Sequence, residues 1–235
     1  MSSYFITGTD TGVGKTFVAA SVLAAMRKAG RNIVPMKPVQ TGCLFGKNGI
    51  LEAPDLDFCL TVAGLRAGDT ETYHAMCPFR FSMAASPHLA ARVEGTAISI
   101  DEIKSSFEVL RSHHDGVLVE GAGGLLTPIS DSQNMLDVMK ALELPVVVVA
   151  RPGLGTLNHS LLTVHELNRS GLNVIALVLN RISDDPWGNI EEDNLQTLRR
   201  ISGVPVVVRF PFIAFMPKPR FADSAIEVFG ELVTA

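Results

Sequence analysis

Between an apolar run, Tyr4-Phe-Ile-Thr7, and a segment patterned as a helix, Phe17 to Ala29, lies Gly8-Thr-Asp-Thr-Gly-Val-Gly-Lys15-Thr16. A glycine-rich turn from strand to helix lets successive backbone N–H groups converge on one point, and the helix behind it aims its positive end at the same place. The chain is therefore predicted to fold around an anion cradle of the P-loop kind. Gly12, Val13, Gly14, Lys15, Thr16 and Phe17 would contact the phosphates, with Lys15 supplying a cation and the Thr16 hydroxyl a Mg²⁺ ligand. Gly8 stands six residues before Gly14, so the loop carries one residue more than the usual G-x-x-x-x-G-K-[ST] spacing. An ordinary turn with a solvated lysine is the competing reading. Gly-Lys-Thr at a strand-to-helix junction disfavours it.

What surrounds this loop predicts the fold. Strand-like segments recur at Tyr4-Thr7, Asn32-Met36, Gly116-Glu120, Val146-Ala150, Val174-Asn180 and Val204-Arg209. Several are continuously apolar and β-branched, the signature of strands buried on both faces of a parallel sheet. Helix-like segments separate them at Phe17-Ala29, Pro87-Glu94, Asp101-Ser112, Met135-Leu142, Asn158-Asn168 and Ile190-Ile201. The alternation predicts an α/β fold, a doubly wound, mainly parallel sheet with helices on both faces. Ser86-Pro87 reads as an N-cap followed by proline at the first helical position, and Gly171 and Gly203 stand where helices should end. Phe212 to Phe221, with prolines at 217 and 219, shows no clean period and reads as a loop over the nucleotide.

The length of 235 residues and 47% hydrophobic content suit one core, and a single domain over 1–235 is expected. A net charge of −4 without a lysine-arginine run gives no reason to expect nucleic acid or an anionic membrane as partner. Cys43, Cys59 and Cys77 are odd in number and lack C-x-x-C spacing, and no secretory leader precedes them, which predicts a reduced, cytoplasmic setting. The longest apolar run, around Pro145 to Ala150, is far below the roughly 18 residues of a spanning helix. Small anions are the expected partners.

In doubly wound sheets ligands gather beyond the carboxyl ends of the strands. The segments there are Gly8-Thr16, Lys37-Pro-Val-Gln-Thr41-Gly42, Glu120-Gly-Ala-Gly-Gly124, Arg151-Pro-Gly-Leu-Gly155-Thr-Leu-Asn158-His159, and Asn180-Arg181. Lys37 and Glu120 each end a predicted strand. A strand-tip carboxylate beside a P-loop is suited to Mg²⁺, and the glycines after Glu120 let backbone approach a ligand closely. Asn158 opens a predicted helix, where its default role is an N-cap. His88 and His159 are assigned no catalytic part.

Taken together with Ser86-Pro-His88, Thr127-Pro128 and Pro211, these loops resemble the dethiobiotin synthetase family, ATP-dependent enzymes that close the ureido ring in biotin synthesis. The resemblance implies a homodimer that uses ATP with Mg²⁺, CO₂ and 7,8-diaminopelargonate. It implies Lys37 and Lys15 as the catalytic lysines, with Lys37 at the carbamate and γ-phosphate. Thr11 and Thr41 would face the substrate, and Gly155, Thr156 and Asn158 would reach the substrate carboxylate across the dimer interface. Asn180 and Pro211 would lie on the adenine side. Thr16 and Glu120 would hold the metal with an aspartate from the 53–58 segment. Asp55 and Asp57 compete for that place; Asp55, which follows proline and starts the helical pattern, is preferred. Two features depart from the family: Arg151-Pro152 before Gly153, and Arg209-Phe210 before Pro211. The alternative is a partitioning-type switch ATPase, which carries a second lysine early in its P-loop. This chain has Asp10 there.

Overall fold

The computed structural model describes residues 3–46, 49–66, 68–213 and 219–230, the last stretch without the side chains of 219 and 220. In chain order the elements are β1 (Tyr4–Gly8), α1 (Lys15–Lys28), β2 (Ile33–Met36), β3 (Val39–Gln40), β4 (Leu44–Phe45), β5 (Leu51–Glu52), α2 (Pro54–Ala63), α3 (Thr70–Met76) and β6 (Phe79–Arg80). There follow α4 (Pro87–Val93), α5 (Ile100–His113), β7 (Gly116–Glu120), α6 (Met135–Leu142), β8 (Val146–Ala150), α7 (Thr156–Arg169), β9 (Val174–Asn180), α8 (Asn189–Ile201), β10 (Val206–Phe210) and α9 (Pro219–Phe229).

Six strands form one sheet in the order β10-β9-β8-β1-β7-β2, and every pairing in it is parallel. The all-valine run of β8 is buried at every position, which only a strand covered on both faces can satisfy. Side chains alternate between two cores accordingly. Phe5, Val117, Val119, Val146 and Val148 join one, while Ile6, Leu118, Val147 and Val149 join the other. On the second face α1 buries Val18, Val22, Leu23 and Met26 beside Ala222, Ala225 and Phe229 of α9. Each such large apolar side chain contributes about 1.5–3 kcal/mol on burial. On the first face lie Ile103 and Phe107 of α5, Met139 of α6 and Val164 of α7.

From β1 the chain runs to β2 at one edge, and from β7 it crosses to β8 on the other side of β1. The order reverses around β1, so a crevice opens at its carboxyl end, where the phosphate loop lies.

The expected strands and helices are all present, with ends shifted by up to two residues. Gly171 and Gly203 sit just past α7 and α8 in the left-handed region, at φ 78° and 71°. Ser86 stands at the N-cap of α4 with Pro87 after it, but its side chain makes no capping bond. Three corrections concern other parts. α3 has no counterpart in the sequence reading; it is only seven residues long and is held at its start by Asp69, whose Oδ1 accepts the Thr72 N–H at 2.8 Å. The β3–β6 and β4–β5 ladders, two residues each, are too short to leave a periodic signal. The expected loop over 212–221 ends early, because Pro219 begins α9; proline is tolerated at a helix start, where its missing N–H would have had no partner. Residues 214–218 of that expected loop lie outside the described residues.

Candidate active site

Four helix starts are built in two ways. α5 and α6 begin with side-chain caps, Ser99 onto the Glu102 N–H and Asn134 onto the Leu136 N–H, the latter within a capping box closed by Asp137. α1 begins with Gly14 at φ 90° and no side-chain cap, and α7 likewise begins with Gly155 at φ 90°. Uncapped first-turn N–H groups are available to an anion. Glycine at position 14 is also a matter of space, since a Cβ there would strike the Asn180 amide.

The first turn of α1 opens into a cavity of about 1120 Å³, lined from the carboxyl ends of β1, β2, β7, β9 and β10. Thr11, Gly12, Gly14, Lys15, Thr16, Phe17, Lys37, Thr41, Asp55, Glu120, Asn180 and Pro211 all reach it. Val13 does not; its side chain is buried, and its carbonyl accepts the Asn180 Nδ2–H at 2.9 Å.

At the floor of the cavity the Thr16 hydroxyl donates to Glu120 Oε1 at 2.8 Å. Lys37 Nζ lies 2.6 Å from the same oxygen, 2.7 Å from Asp55 Oδ2 and 3.3 Å from the Gly121 carbonyl. These partners are 83 and 104 residues apart for the two contacts to Glu120, and the parallel sheet brings them together by ending β7 between β2, which leads to Lys37, and β1, which leads to Thr16. Lys37 and Glu120 are both 4% exposed. Burial alone would lower the Lys37 pKa, but Glu120 and Asp55 outweigh it and hold the ammonium above the ordinary lysine range. Lys15 has no such bidentate partner. Burial, reinforced by the Lys37 charge and opposed by Glu120, Asp55 and Asp10, pushes it down to about 8. Burial would raise the Asp55 pKa, yet the Lys37 charge and hydrogen bonds from Lys37 and Gln40 leave it lowered. The two lysines therefore differ: Lys37 is held firmly as a cation, and Lys15 gives up its proton more readily than an ordinary lysine.

Of the two competing aspartates, Asp55 faces this cluster, while Asp57 accepts the Tyr73 hydroxyl at 2.9 Å and lies outside the cavity. Thr16, Glu120 and Asp55 offer oxygen atoms only, a donor set suited to a hard divalent cation. No cluster of three or more His, Cys, Asp and Glu exists among the described residues, so such an ion would depend on the hydroxyl and on phosphate oxygens as well. Toward its far end the cavity turns apolar. Phe17 packs against Phe58 at 5.0 Å between ring centroids, and Ile182, Phe210, Phe212 and Ile213 continue the wall. Phe58 and Gln40 were not singled out from sequence. Phe58, three residues after Asp55 on one helical face, carried a usable signal.

A family model described as an AAA domain matches residues 2–220. The ATP-dependent dethiobiotin synthetase of Anaeromyxobacter dehalogenans (strain 2CP-C) is 44% identical over 188 residues, covering 79% of this chain and 80% of the relative. That of Thermodesulfovibrio yellowstonii is 34% identical over 236 residues, covering 97% and 96%. The chain belongs to the dethiobiotin synthetase family. Among solved structures, the septum site-determining protein MinD complexed with Mg-ADP from Pyrococcus horikoshii superposes with a TM-score of 0.57 at 15% identity, covering 98% of this chain and 93% of that one. That likeness is one of fold.

The dethiobiotin synthetase resemblance also pointed to Gly155, Thr156 and Asn158, and these do not line the cavity of their own chain. Gly155 and Asn158 are exposed. In the single chain the Thr156 N–H goes to the Gly153 carbonyl at 3.2 Å, and its buried hydroxyl pairs with Ser160 Oγ at 3.2 Å. Asn158 is corrected as an N-cap. The cap position is Gly155, and Asn158 stands third in the helix, because a left-handed glycine starts the helix earlier than the asparagine signal suggests.

Proposed function

We propose that this chain converts 7,8-diaminopelargonate, CO₂ and ATP to dethiobiotin, ADP and phosphate, through a carbamate and a carbamic-phosphoric anhydride. The observation that carries this reading is the buried Lys37 ammonium, shared between Glu120 and Asp55 beside the phosphate loop. An amine and CO₂ give a carbamate with loss of a proton, and a carbamate is too poor an electrophile for a second amine. Transfer of the γ-phosphoryl group to a carbamate oxygen releases ADP; the neighbouring amine then attacks the carbonyl carbon, the C–O bond to phosphate breaks, and a five-membered urea remains.

The difficult moment brings an anionic carbamate to an anionic phosphoryl group. Lys37, kept cationic by its two carboxylates, stands where it can offset that charge, and Lys15 with the open N–H groups of α1 holds the phosphates. Thr16, Glu120 and Asp55 would hold Mg²⁺, which would supply positive charge against the phosphates. Thr11 and Thr41 offer hydroxyls to the diamine end, and Asn180 and Pro211, on the apolar side, face the nucleotide base. The exposed start of α7, with Gly155 and Asn158, would meet the substrate carboxylate of a second subunit in a homodimer.

No helix among the described residues is long and apolar enough to cross a membrane. The partitioning-ATPase reading lacks its second P-loop lysine, since Asp10 holds that position. Incubation with Mg-ATP, bicarbonate and 7,8-diaminopelargonate should give ADP, phosphate and dethiobiotin in equal amounts. ATP consumption without a cyclic urea in the mass spectrum would sink the proposal.

A further inference from the structure

The phosphate loop is one residue longer than its usual form, and the extra length has to be held somewhere. Parallel pairing of β1 with β8 sets Gly8 against Val149. Two residues further along each chain come Asp10 and Arg151, so the register itself carries Arg151 to the level of the loop's crest. There its Nη2 donates to the Thr11 carbonyl at 3.0 Å and approaches Asp10 Oδ2 at 3.4 Å. The other Asp10 oxygen accepts the Thr11 N–H at 2.7 Å, the Asp10 carbonyl accepts from Lys15 Nζ at 2.9 Å, and the Thr9 N–H reaches the Val149 carbonyl at 2.9 Å.

We infer that Arg151 is a positioning residue for ATP, clamping the lengthened phosphate loop through Asp10 and Thr11 so that the Gly12-to-Thr16 turn is already shaped before nucleotide arrives. Arg151 and Asp10 side chains are 52% and 59% exposed, so their ion pair alone contributes little. The charge-assisted bond to the Thr11 carbonyl is stronger, and it acts on backbone one residue from the turn glycine Gly12, at φ 71°. Arg151 does not line the cavity, whereas Thr11 does, which places the guanidinium behind the loop. This accounts for Arg151 as a feature of the β8–α7 segment that the dimer-facing role of Gly155 and Asn158 leaves unused. The aspartate at position 10, where a switch ATPase has its second lysine, gains a partner for the same reason.

The inference rests on the ATP-binding reading above and is tested by direct ATP titration without diamine, in wild type, Arg151→Ala, Arg151→Lys, Asp10→Asn and the double variant Arg151→Ala/Asp10→Asn. Arg151→Ala should weaken ATP about tenfold and Arg151→Lys, which keeps a donor for the carbonyl, no more than about threefold. Asp10→Asn, whose amide oxygen can still accept the Thr11 N–H, should also cost about threefold, and the double variant should lose less than the product of the two single losses. With ATP saturating, kcat of Arg151→Ala should stay within about twofold of wild type, because the loop's hold on ATP weakens alike in the ground and transition states. Unchanged ATP affinity in Arg151→Ala overturns the inference. So do single losses that multiply fully, or tighter binding in Asp10→Asn, which would make Arg151 a direct phosphate ligand. A wild type that fails to bind ATP would instead overturn the functional reading.

Discussion

α1 and α7 start with the same device and meet different surroundings. Each follows a glycine at φ 90°, each lacks a side-chain cap, and each begins just beyond a buried parallel strand. Around the start of α1 the sheet gathers two lysines and two carboxylates in one cavity. Around the start of α7 there is solvent: Leu154 is 95% exposed, Gly155 and Asn158 are exposed, and no residue from 153 to 158 lines the cavity. An open helix terminus becomes an anion site only where other elements converge on it. Within one chain α1 has that company, and α7 would acquire it from a second subunit.

The strongest way to break this contrast is to remove a charge at α1. Lys37→Ala should cost on the order of 3 kcal/mol or more, about 10²-fold in kcat, with ATP affinity little changed, since Lys37 acts on charge that moves during transfer. Steady-state kinetics beside an ATP titration decides this, and a defect confined to ATP affinity would remove Lys37 from the chemistry.

Next in size is the carboxylate pair. Asp55→Asn and Glu120→Gln should each raise the Mg²⁺ concentration needed for half-maximal rate by about tenfold or more, as losses at metal sites do. Asp57→Asn should leave it unchanged, because Asp57 is engaged by Tyr73. A Mg²⁺ titration of the three variants separates the two aspartates, and the reverse pattern would make Asp57 the ligand.

At α7, Asn158→Ala should raise KM for the diamine about tenfold, the loss of one hydrogen bond to a charged group, with ATP affinity intact. Its mixture with Lys37→Ala protein, under conditions of subunit exchange, should recover part of the lost activity. Demonstrated heterodimers that gain nothing would place the whole site within one chain and end the contrast between the helices.

The smallest effect is one of pH. The lowered Lys15 pKa, about 8, means that raising pH through this value discharges the ammonium in the free protein. kcat/KM for ATP, which reports free-enzyme ionisations, should therefore fall by about half near pH 8 and continue downward above it. kcat should hold to higher pH, because bound phosphate restores the charge. Lys37, held above the ordinary range, should add no inflection there. An ATP profile flat to pH 10 would contradict this division of the lysines.

The sheet was legible because its strands are continuous apolar runs closed by chemistry at their ends: Gly116–Glu120, Val146–Ala150 and Val174–Asn180 match their sequence readings residue for residue. Strand ends also made Lys37 and Glu120 visible as candidates. Their direct ion pair was not, since it depends on β2 and β7 being neighbours, and no local pattern records strand order. Asp55 was preferred over Asp57 for its place after proline; that Tyr73, from the unforeseen α3, bonds to Asp57 left no trace in the sequence. The start of α7 was misjudged because an asparagine cap signal competed with a glycine whose φ becomes known only in the fold. Pro219 misled in the same way, as a loop breaker in sequence and a helix opener in structure.

Transfer of the γ-phosphoryl group to a carbamate oxygen in the α1 cavity would leave an atomic signature. In a brief reaction started with C¹⁸O₂ and diamine, before label exchanges with water, the phosphate released should carry one ¹⁸O and the urea carbonyl of dethiobiotin should carry the other. Phosphate free of label, with dethiobiotin still formed, would contradict the account.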